Sequence, residues 1–367
     1  MESGDASTPY RVPPRVRMAP PPVPRRGGCG WMMISLILAG MLAITWIGIL
    51  ATSSPELART GANVTDYWEE HLLEAHDADN RVAVIEVAGL ISSLALDPSG
   101  MNMVDAIKDQ LTMAKADDSV LGVILKIDSP GGEVLASDEI YREIQAFQSE
   151  SGKPVVASMS GLAASGGYYV AAPCRWIVAH ELTITGSIGV ILHSYNYRGL
   201  MDKVGIMPRV FKSGRFKDML SGEKSPDEIL PETQAMMQAL IDETFDRFKG
   251  VVSQGRSNAA AQNGGTGKSL DADWQDYADG RILTGRQAFE LGFVDELGNF
   301  EQATDRMGTI IGVPEFDLIT YRQPFSFGNF FRLLGKNESK RIELDLGFDV
   351  PHLQVGRLYF LAANYIL

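Results

Sequence analysis

Val155-Val-Ala-Ser-Met-Ser-Gly-Leu-Ala-Ala-Ser-Gly-Gly-Tyr-Tyr-Val-Ala-Ala172 is the stretch on which the fold turns. Val155, Val156 and Ala157 read as the end of a buried strand, the small residues after them as a turn, and Tyr168 to Ala172 as a helix. Ser165 stands in that turn with Gly166 and Gly167 directly behind it. Glycines without a Cβ let backbone N–H groups approach a ligand, so one turn can hold both a nucleophile and half of an oxyanion hole. Taken alone, the same turn reads equally well as close backbone packing, and the flanking segments have to decide.

Outward from that turn, strands alternate with amphipathic helices. Val82 to Val87 reads as a strand, Met103 to Ala114 as a helix, and Val120 to Ile127 as a nearly continuous apolar strand. Glu133 to Phe147 reads as a helix with Ile140, Ile144 and Phe147 on one face, and Pro154 to Met159 as the next strand. Such alternation, with strands apolar on both faces, predicts an α/β domain whose sheet is covered on both sides. Two more glycine-rich turns, Asp128-Ser-Pro-Gly-Gly132 and Thr185-Gly-Ser-Ile-Gly189, follow strands of this domain. With the Ser165 turn they are expected to gather at one edge of the sheet, where sites in α/β folds lie.

Downstream, Val210 and Phe211 read as a strand leading into a loop that carries Lys212 and Lys217; a lone loop lysine is ordinarily a surface residue. Residues 226–254 read as a long helix with Ile229, Met236, Met237, Leu240, Ile241, Phe245 and Phe248 at helical spacing, a stripe suited to core or subunit contact. Asn263-Gly-Gly-Thr-Gly-Lys-Ser269 lacks the spacing and the leading strand of a phosphate loop and reads as a flexible loop.

The chain of 367 residues is 45% hydrophobic with a net charge of −13, which argues against nucleic acid as a partner. Cys29 and Cys174 make no disulfide framework, and the five histidines show no ligand spacing, so no metal and no cofactor are expected. His71 and His76, among acidic residues, read as a solvated helix face.

The N-terminal part has a different character. Residues 1–30 are rich in Pro, Gly and Arg and read as a disordered tail. Residues 31–52 carry no charge, and about 20 apolar residues suffice to cross a bilayer. The length favours an uncleaved transmembrane helix over a cleaved signal peptide. Arg11, Arg15, Arg17, Arg25 and Arg26 precede it and only Arg59 follows closely, which puts the N-terminus in the cytoplasm and the remainder outside it. Residues 53–80 read as a stalk with a helical patch at 67–73, residues 81–312 as the main domain, and residues 313–367 as a tail.

Together, Asp128-Ser-Pro-Gly-Gly132, Ala164-Ser-Gly-Gly-Tyr-Tyr169, Thr185-Gly-Ser-Ile-Gly-Val190, Lys212-Ser-Gly-Arg-Phe-Lys-Asp218 and the run from Asp279-Gly-Arg-Ile to Asp295-Glu-Leu-Gly298 resemble the signal peptide peptidase A family of membrane-bound serine peptidases, in its short single-domain bacterial form. The resemblance covers roughly residues 80–300 and implies a Clp-protease/crotonase-like α/β fold. It also implies a Ser–Lys dyad: Ser165 as nucleophile, Lys217 as general base with Lys212 as its rival, and Ser187 as the hydroxyl that orients the lysine amine. Gly132 (or Gly131) and Gly166 would supply the oxyanion N–H groups. A serine hydroxyl needs a base beside it, and a lysine amine serves as one when burial penalises its charged form.

The resemblance further implies an endopeptidase on the bacterial inner membrane. Its substrates would be signal-peptide remnants and other membrane-associated peptides, and it would form a homo-oligomer in which one chain holds both members of each dyad. Alternatives to weigh are His180 or His193 as the base, a crotonase-type acyl-CoA enzyme, and an inactive membrane scaffold. The chain ends in the apolar run Arg357-Leu-Tyr-Phe-Leu-Ala-Ala-Asn-Tyr-Ile-Leu367, expected to pack on a neighbouring subunit or the membrane, or to lie in the substrate groove as a self-processing or inhibitory peptide.

Overall fold

The computed structural model describes residues 38, 41–42, 68–76, 78–94, 101–323 and 358–362. The chain divides into a unit of residues 1–61 and a unit of residues 62–367. In the first, Leu38, Met41 and Leu42 are helical and exposed; the rest of the expected span 31–52 lies outside the described residues, as does the tail 1–30. Among the described residues no helix is long and apolar enough to cross a membrane.

The second unit is built on one mixed sheet. Its strands are β1 (Glu69–Glu74), β2 (Arg81–Ala88), β3 (Val120–Ser129), β5 (Val155–Ala163), β6 (Trp176–Ala179), β9 (Glu296–Leu297) and β10 (Asp317–Arg322), in the spatial order β1-β10-β2-β3-β5-β6-β9. All neighbours are parallel except β1 and β10. The centre is β3, where Val123, Ile124, Leu125 and Ile127 have no exposed surface; burying such a side chain contributes about 1.5–3 kcal/mol.

Both faces are covered, as the apolar strands require. Helices α1 (Met103–Ala116), α2 (Val134–Ser151) and α3 (Gly166–Ala171) pack Ile107, Leu111, Ile140, Ile144 and Tyr169 into one core. On the opposite face α7 (Phe300–Ile311) lays Ala303 and Met307 against Ile124, Val156 and Val178. Asn102 starts α1 by accepting the Asp105 N–H, and Asn299 starts α7 in a capping box with Gln302.

Smaller elements surround the strand ends. β4 (Gly131–Glu133) pairs antiparallel with β11 (Tyr359–Leu361), while β7 (Ile184–Gly186) joins β5 to β8 (Ile282–Thr284), which leads into α6 (Gly285–Glu290). α4 (Arg198–Val204) precedes the lysine segment, and α5 (Pro231–Gln262) is the longest described helix.

Several expectations are corrected. Residues 69–74 are strand β1, not a stalk or a helical patch, because Leu72 pairs with Ile319 and Glu69 with Arg322 across a sequence gap that local pattern cannot see. His71 therefore lies on a strand. The sheet also takes in β10, beyond the expected domain end at residue 312. Val210 and Phe211 form no strand: they are 51% and 93% exposed, with no described partner to complete a ladder. The helix expected at 226–254 is a 3₁₀ turn at Pro226–Glu228 followed by α5. Phe248 is buried, whereas Met236 and Leu240 stay exposed, so the stripe is core only in its C-terminal half.

Candidate active site

The three glycine-rich turns do meet at the C-terminal ends of β3, β5 and β7. Ser129 ties the first two. It pairs with Ala163, its carbonyl accepts the Ala164 N–H at 3.1 Å, and its hydroxyl donates to the Gly89 carbonyl at 2.6 Å while accepting the Gly131 N–H at 3.1 Å. Thr185 ties the third by donating its hydroxyl to the Ala163 carbonyl at 2.6 Å. Both side chains are fully buried. The sequence pattern singles out neither, although each stands inside one of the quoted glycine-rich motifs.

Ser165 sits at the junction of β5 and α3 with φ 55° and ψ −116°. Its backbone is pinned on both sides: its N–H donates to the Gly186 carbonyl and its own carbonyl accepts from Tyr169, each at 2.8 Å. The hydroxyl is buried and has no hydrogen-bond partner in the described structure. An unpaired buried polar group costs about 1–3 kcal/mol, and such a group in a native fold calls for a functional explanation.

Gly131, Gly132 and Gly166 crowd the same point. A Cβ on Gly166 would lie 3.0 Å from the Gly132 nitrogen and 2.7 Å from the Ser137 hydroxyl, and one on Gly131 would lie 2.7 Å from the Gly166 nitrogen. The backbone nitrogens of Gly132 and Gly166, the expected oxyanion donors, are thus close neighbours beside Ser165. Gly132 exchanges no hydrogen bond with the loop behind it: the Glu133 N–H donates to the Ile91 carbonyl and the Ile91 N–H to Gly131, which turns the Gly132 N–H to the opposite side.

Ser187 is buried, with φ 50°, and its N–H donates to Arg281 at 2.7 Å. Lys217 is exposed, and among the described residues its ammonium has neither an ion pair nor a hydrogen bond. Its neighbour Asp218 is held instead by Lys212, at 2.9 Å to both carboxylate oxygens, and by the buried Lys224 at 3.3 Å. Those bonds hold the Asp218 carboxyl below its ordinary range. The structure therefore brings together Ser165, Ser187, Gly132 and Gly166. Among the described residues the Ser165 hydroxyl and the Lys217 amine share no hydrogen bond.

The histidines are not on the serine either. His180 accepts the Leu182 N–H at 3.2 Å and is exposed, and the His193 ring stacks on Tyr195. Cys174 is free and fully buried, and burial pushes its thiol pKa up, so it is inert.

Behind α3, Arg256 of α5 makes a buried ion pair with Asp295. Asp295 also accepts from the Ile177 and Lys268 N–H groups at 2.9 and 3.2 Å. Burial nonetheless raises the Asp295 pKa above its ordinary value, the Arg256 charge opposing it. Gly255 lies so close to Ala172 that a Cβ would come within 2.2 Å of its carbonyl oxygen. The pair ties α5 to the segment leading into β9, and the close approach of Gly255 to Ala172 sets α5 against the C-terminal end of the Ser165 helix.

Known proteins are similar to this chain. The family model described as peptidase family S49 matches residues 147–313, and the Clp protease model matches residues 94–175. A protein of Enterococcus faecium named as a signal peptide peptidase, SppA, is 32% identical over 306 residues, covering 80% of this chain and 82% of its own length. A Synechocystis protein named as the protease slr0021 is 44% identical over 191 residues, 52% of this chain and 63% of its own. Protease 4 of Haemophilus influenzae is 33% identical over 239 residues, 65% of this chain and 36% of its own, so this chain spans less than two thirds of the last two relatives. Among solved structures, a mutant of the 1510-N membrane-bound stomatin-specific protease covers 62% of this chain and 85% of its own, at 18% identity and a TM-score of 0.37. A mixed α/β fold with a Clp-protease-like domain, and a relative of 32% identity matched over four fifths of both chains, lead to one conclusion: the chain belongs to peptidase family S49 and is a serine peptidase.

Proposed function

We propose that this peptidase works by a Ser–Lys dyad in which Ser165 attacks, Lys217 is the general base and Ser187 orients its amine. The observation that carries the reading is the buried, unpartnered Ser165 hydroxyl beside the paired backbone nitrogens of Gly132 and Gly166. As Ser165 Oγ adds to a peptide carbonyl, the uncharged lysine takes its proton. Gly132 and Gly166 then donate to the developing oxyanion, and one such donor is worth about 2.7–4 kcal/mol in the transition state. The lysine next protonates the leaving amine, and water hydrolyses the ester.

Lys217 has to travel or be presented by a neighbour before this can happen. Its segment carries exposed apolar side chains, Met207 at 86% and Phe211 at 93%, and α5 adds Met236 and Leu240. These surfaces fit a homo-oligomer whose assembly desolvates the lysine segment. Residues 31–52 would anchor the chain in the bacterial inner membrane with residues 1–30 in the cytoplasm. The segment between the anchor and the domain would form the stalk, and the peptidase domain would lie outside the cytoplasm and degrade signal-peptide remnants and other membrane-associated peptides. An acyl-CoA enzyme of the same fold has no use for this hydroxyl.

The test is digestion of a detergent-solubilised signal-peptide mixture by wild type, Ser165→Ala and Lys217→Ala, with a serine-directed acylating label. Labelling of Ser165 and loss of digestion in both variants are expected. Full digestion by Lys217→Ala would remove the dyad.

A further inference from the structure

The strand that carries Gly132 is held from behind by the loop after β2. The Ile91 N–H donates to the Gly131 carbonyl at 2.9 Å, and the Glu133 N–H donates to the Ile91 carbonyl at 2.8 Å. The approach is close enough that a Cβ on Gly132 would stand 1.9 Å from the Ile91 oxygen. These bonds use groups of residues 131 and 133 and leave the Gly132 N–H on the opposite edge of β4.

Backbone bonds are only part of that hold. Glu133, next to Gly132, is 5% exposed, and its carboxylate gathers the same loop. The Ser92 hydroxyl donates to Oε1 at 3.2 Å, while the Ser93 hydroxyl and N–H donate to Oε2 at 2.7 and 3.4 Å. Ser92 is itself buried and accepts the Leu94 N–H at 3.0 Å, so the loop is tied to its own next residue as well. Glu133 also stands at the N-cap of α2, where a side chain ordinarily accepts from the first turn of its own helix. It makes no such bond. The carboxylate serves the loop, not the helix.

The same residue reaches the second donor. The Glu133 carbonyl accepts the Ser137 hydroxyl at 2.9 Å. Ser137 is fully buried, and its hydroxyl oxygen lies 2.7 Å from where a Gly166 Cβ would stand. Side chain, N–H and carbonyl of Glu133 thus connect the Ile91–Leu94 loop, the Gly132 strand and the Gly166 turn.

We propose that Glu133 is a positioning residue for the oxyanion hole: its carboxylate clamps Ser92 and Ser93 to β4 and so fixes the direction of the Gly132 N–H. The inference rests on Gly132 as an oxyanion donor. Such a donor works only when aimed at the oxyanion from about 2.7–3.1 Å, and a misplacement of about 1 Å can cost about 10²-fold in rate. A carboxylate takes all three loop donors because it only accepts. An amide offers one acceptor oxygen in its place, and alanine leaves the buried Ser92 hydroxyl without its acceptor. Glu133 touches no reacting atom; it acts through Gly132.

The experiment takes the full chain in detergent as wild type, Glu133→Gln, Glu133→Ala, Ser93→Ala and the double variant Ser93→Ala/Glu133→Gln. Each is assayed for kcat and KM on one peptide substrate, for inhibition by a peptide aldehyde, whose adduct with a serine hydroxyl puts an oxygen in the hole, and for urea unfolding. Glu133→Ala is expected to lower kcat by about 10- to 100-fold with KM within about twofold of wild type. Glu133→Gln and Ser93→Ala should fall between, and the double variant should lie within about twofold of the slower single one. Aldehyde affinity should fall in parallel with kcat/KM. Should Glu133→Ala fail to fold, Glu133→Gln and Ser93→Ala carry the test. Unchanged kcat in those two overturns the proposal. So does a lower kcat with full aldehyde affinity, which would mean an intact hole, or a fall in folded fraction that accounts for the lost rate. A wild type that digests the peptide equally well after Ser165→Ala overturns the peptidase mechanism beneath it instead.

Discussion

The Ser165 N–H donates to the carbonyl of Gly186 at 2.8 Å, and the next residue, Ser187, shares with Ser165 a positive φ found at no other non-glycine position among the described residues. Their φ values are 50° and 55°, and holding a non-glycine residue there costs about 1–3 kcal/mol each. A fold keeps such strain where the surrounding structure over-determines it. Here Ser129, Thr185 and Arg281 do so through backbone and hydroxyl bonds.

From the orphaned hydroxyl it follows that Ser165→Ala abolishes peptidase activity without destabilising the fold. Removing a buried hydroxyl with no partner relieves a penalty of about 1–3 kcal/mol, offset by a small void. Urea unfolding is expected to give a stability equal to or above wild type. A loss of more than about 1 kcal/mol would mean the hydroxyl is bonded in solution.

Gly166→Ala sets a methyl 3.0 Å from the Gly132 nitrogen and 2.7 Å from the Ser137 hydroxyl. Spreading the two N–H groups is expected to lower kcat on a peptide substrate by about 10²-fold or more, with a smaller change in KM. A KM effect alone would place the oxyanion donors elsewhere.

The two loop lysines separate by their partners. Lys212 and Lys224 hold Asp218, and Lys217 is left without a described partner. Lys217→Ala is expected to lower kcat by about 10²–10⁴ with stability within about 0.5 kcal/mol of wild type. Lys212→Ala should cost far less rate. Equal losses in steady-state assays would favour a shared or reversed assignment.

Arg256→Ala leaves the Asp295 carboxylate buried without its cation and is expected to cost about 3–5 kcal/mol. Arg256→Met combined with Asp295→Leu should cost less than the sum of the single changes. Denaturant unfolding of the three variants checks this, and strict additivity would count against a coupled pair.

Asp138 gives an acid-sensitive contribution. Burial pushes its pKa up, but hydrogen bonds from Tyr169, Arg142 and Arg247 outweigh it and hold the carboxyl below the ordinary 3.8. A folded-state pKa below the unfolded one stabilises above the unfolded value and is lost as pH falls through the folded one. The stability difference between wild type and Asp138→Asn should be full above about pH 5 and shrink below about pH 4. A difference constant to lower pH would show that the carboxylate charge is not involved.

The sequence alone determined the strand–helix alternation, the glycine-rich turns with Ser165, Ser187, Gly132 and Gly166, and the family motifs, because each is written in residues adjacent along the chain. Apolar runs such as Val120–Ile127 dictate a strand buried on both faces whatever surrounds them. Only tertiary structure decided what depends on distant partners. Residues 69–74 became a strand because 317–322 offered an edge, and Val210–Phe211 did not because nothing described offers one. Ser129 and Thr185 gained their roles only when three turns met, and Phe360 came to pair with Gly132 from more than two hundred residues away. Hydrogen-bond ladders and side-chain clusters are closed across such separations, so local sequence carries no record of them.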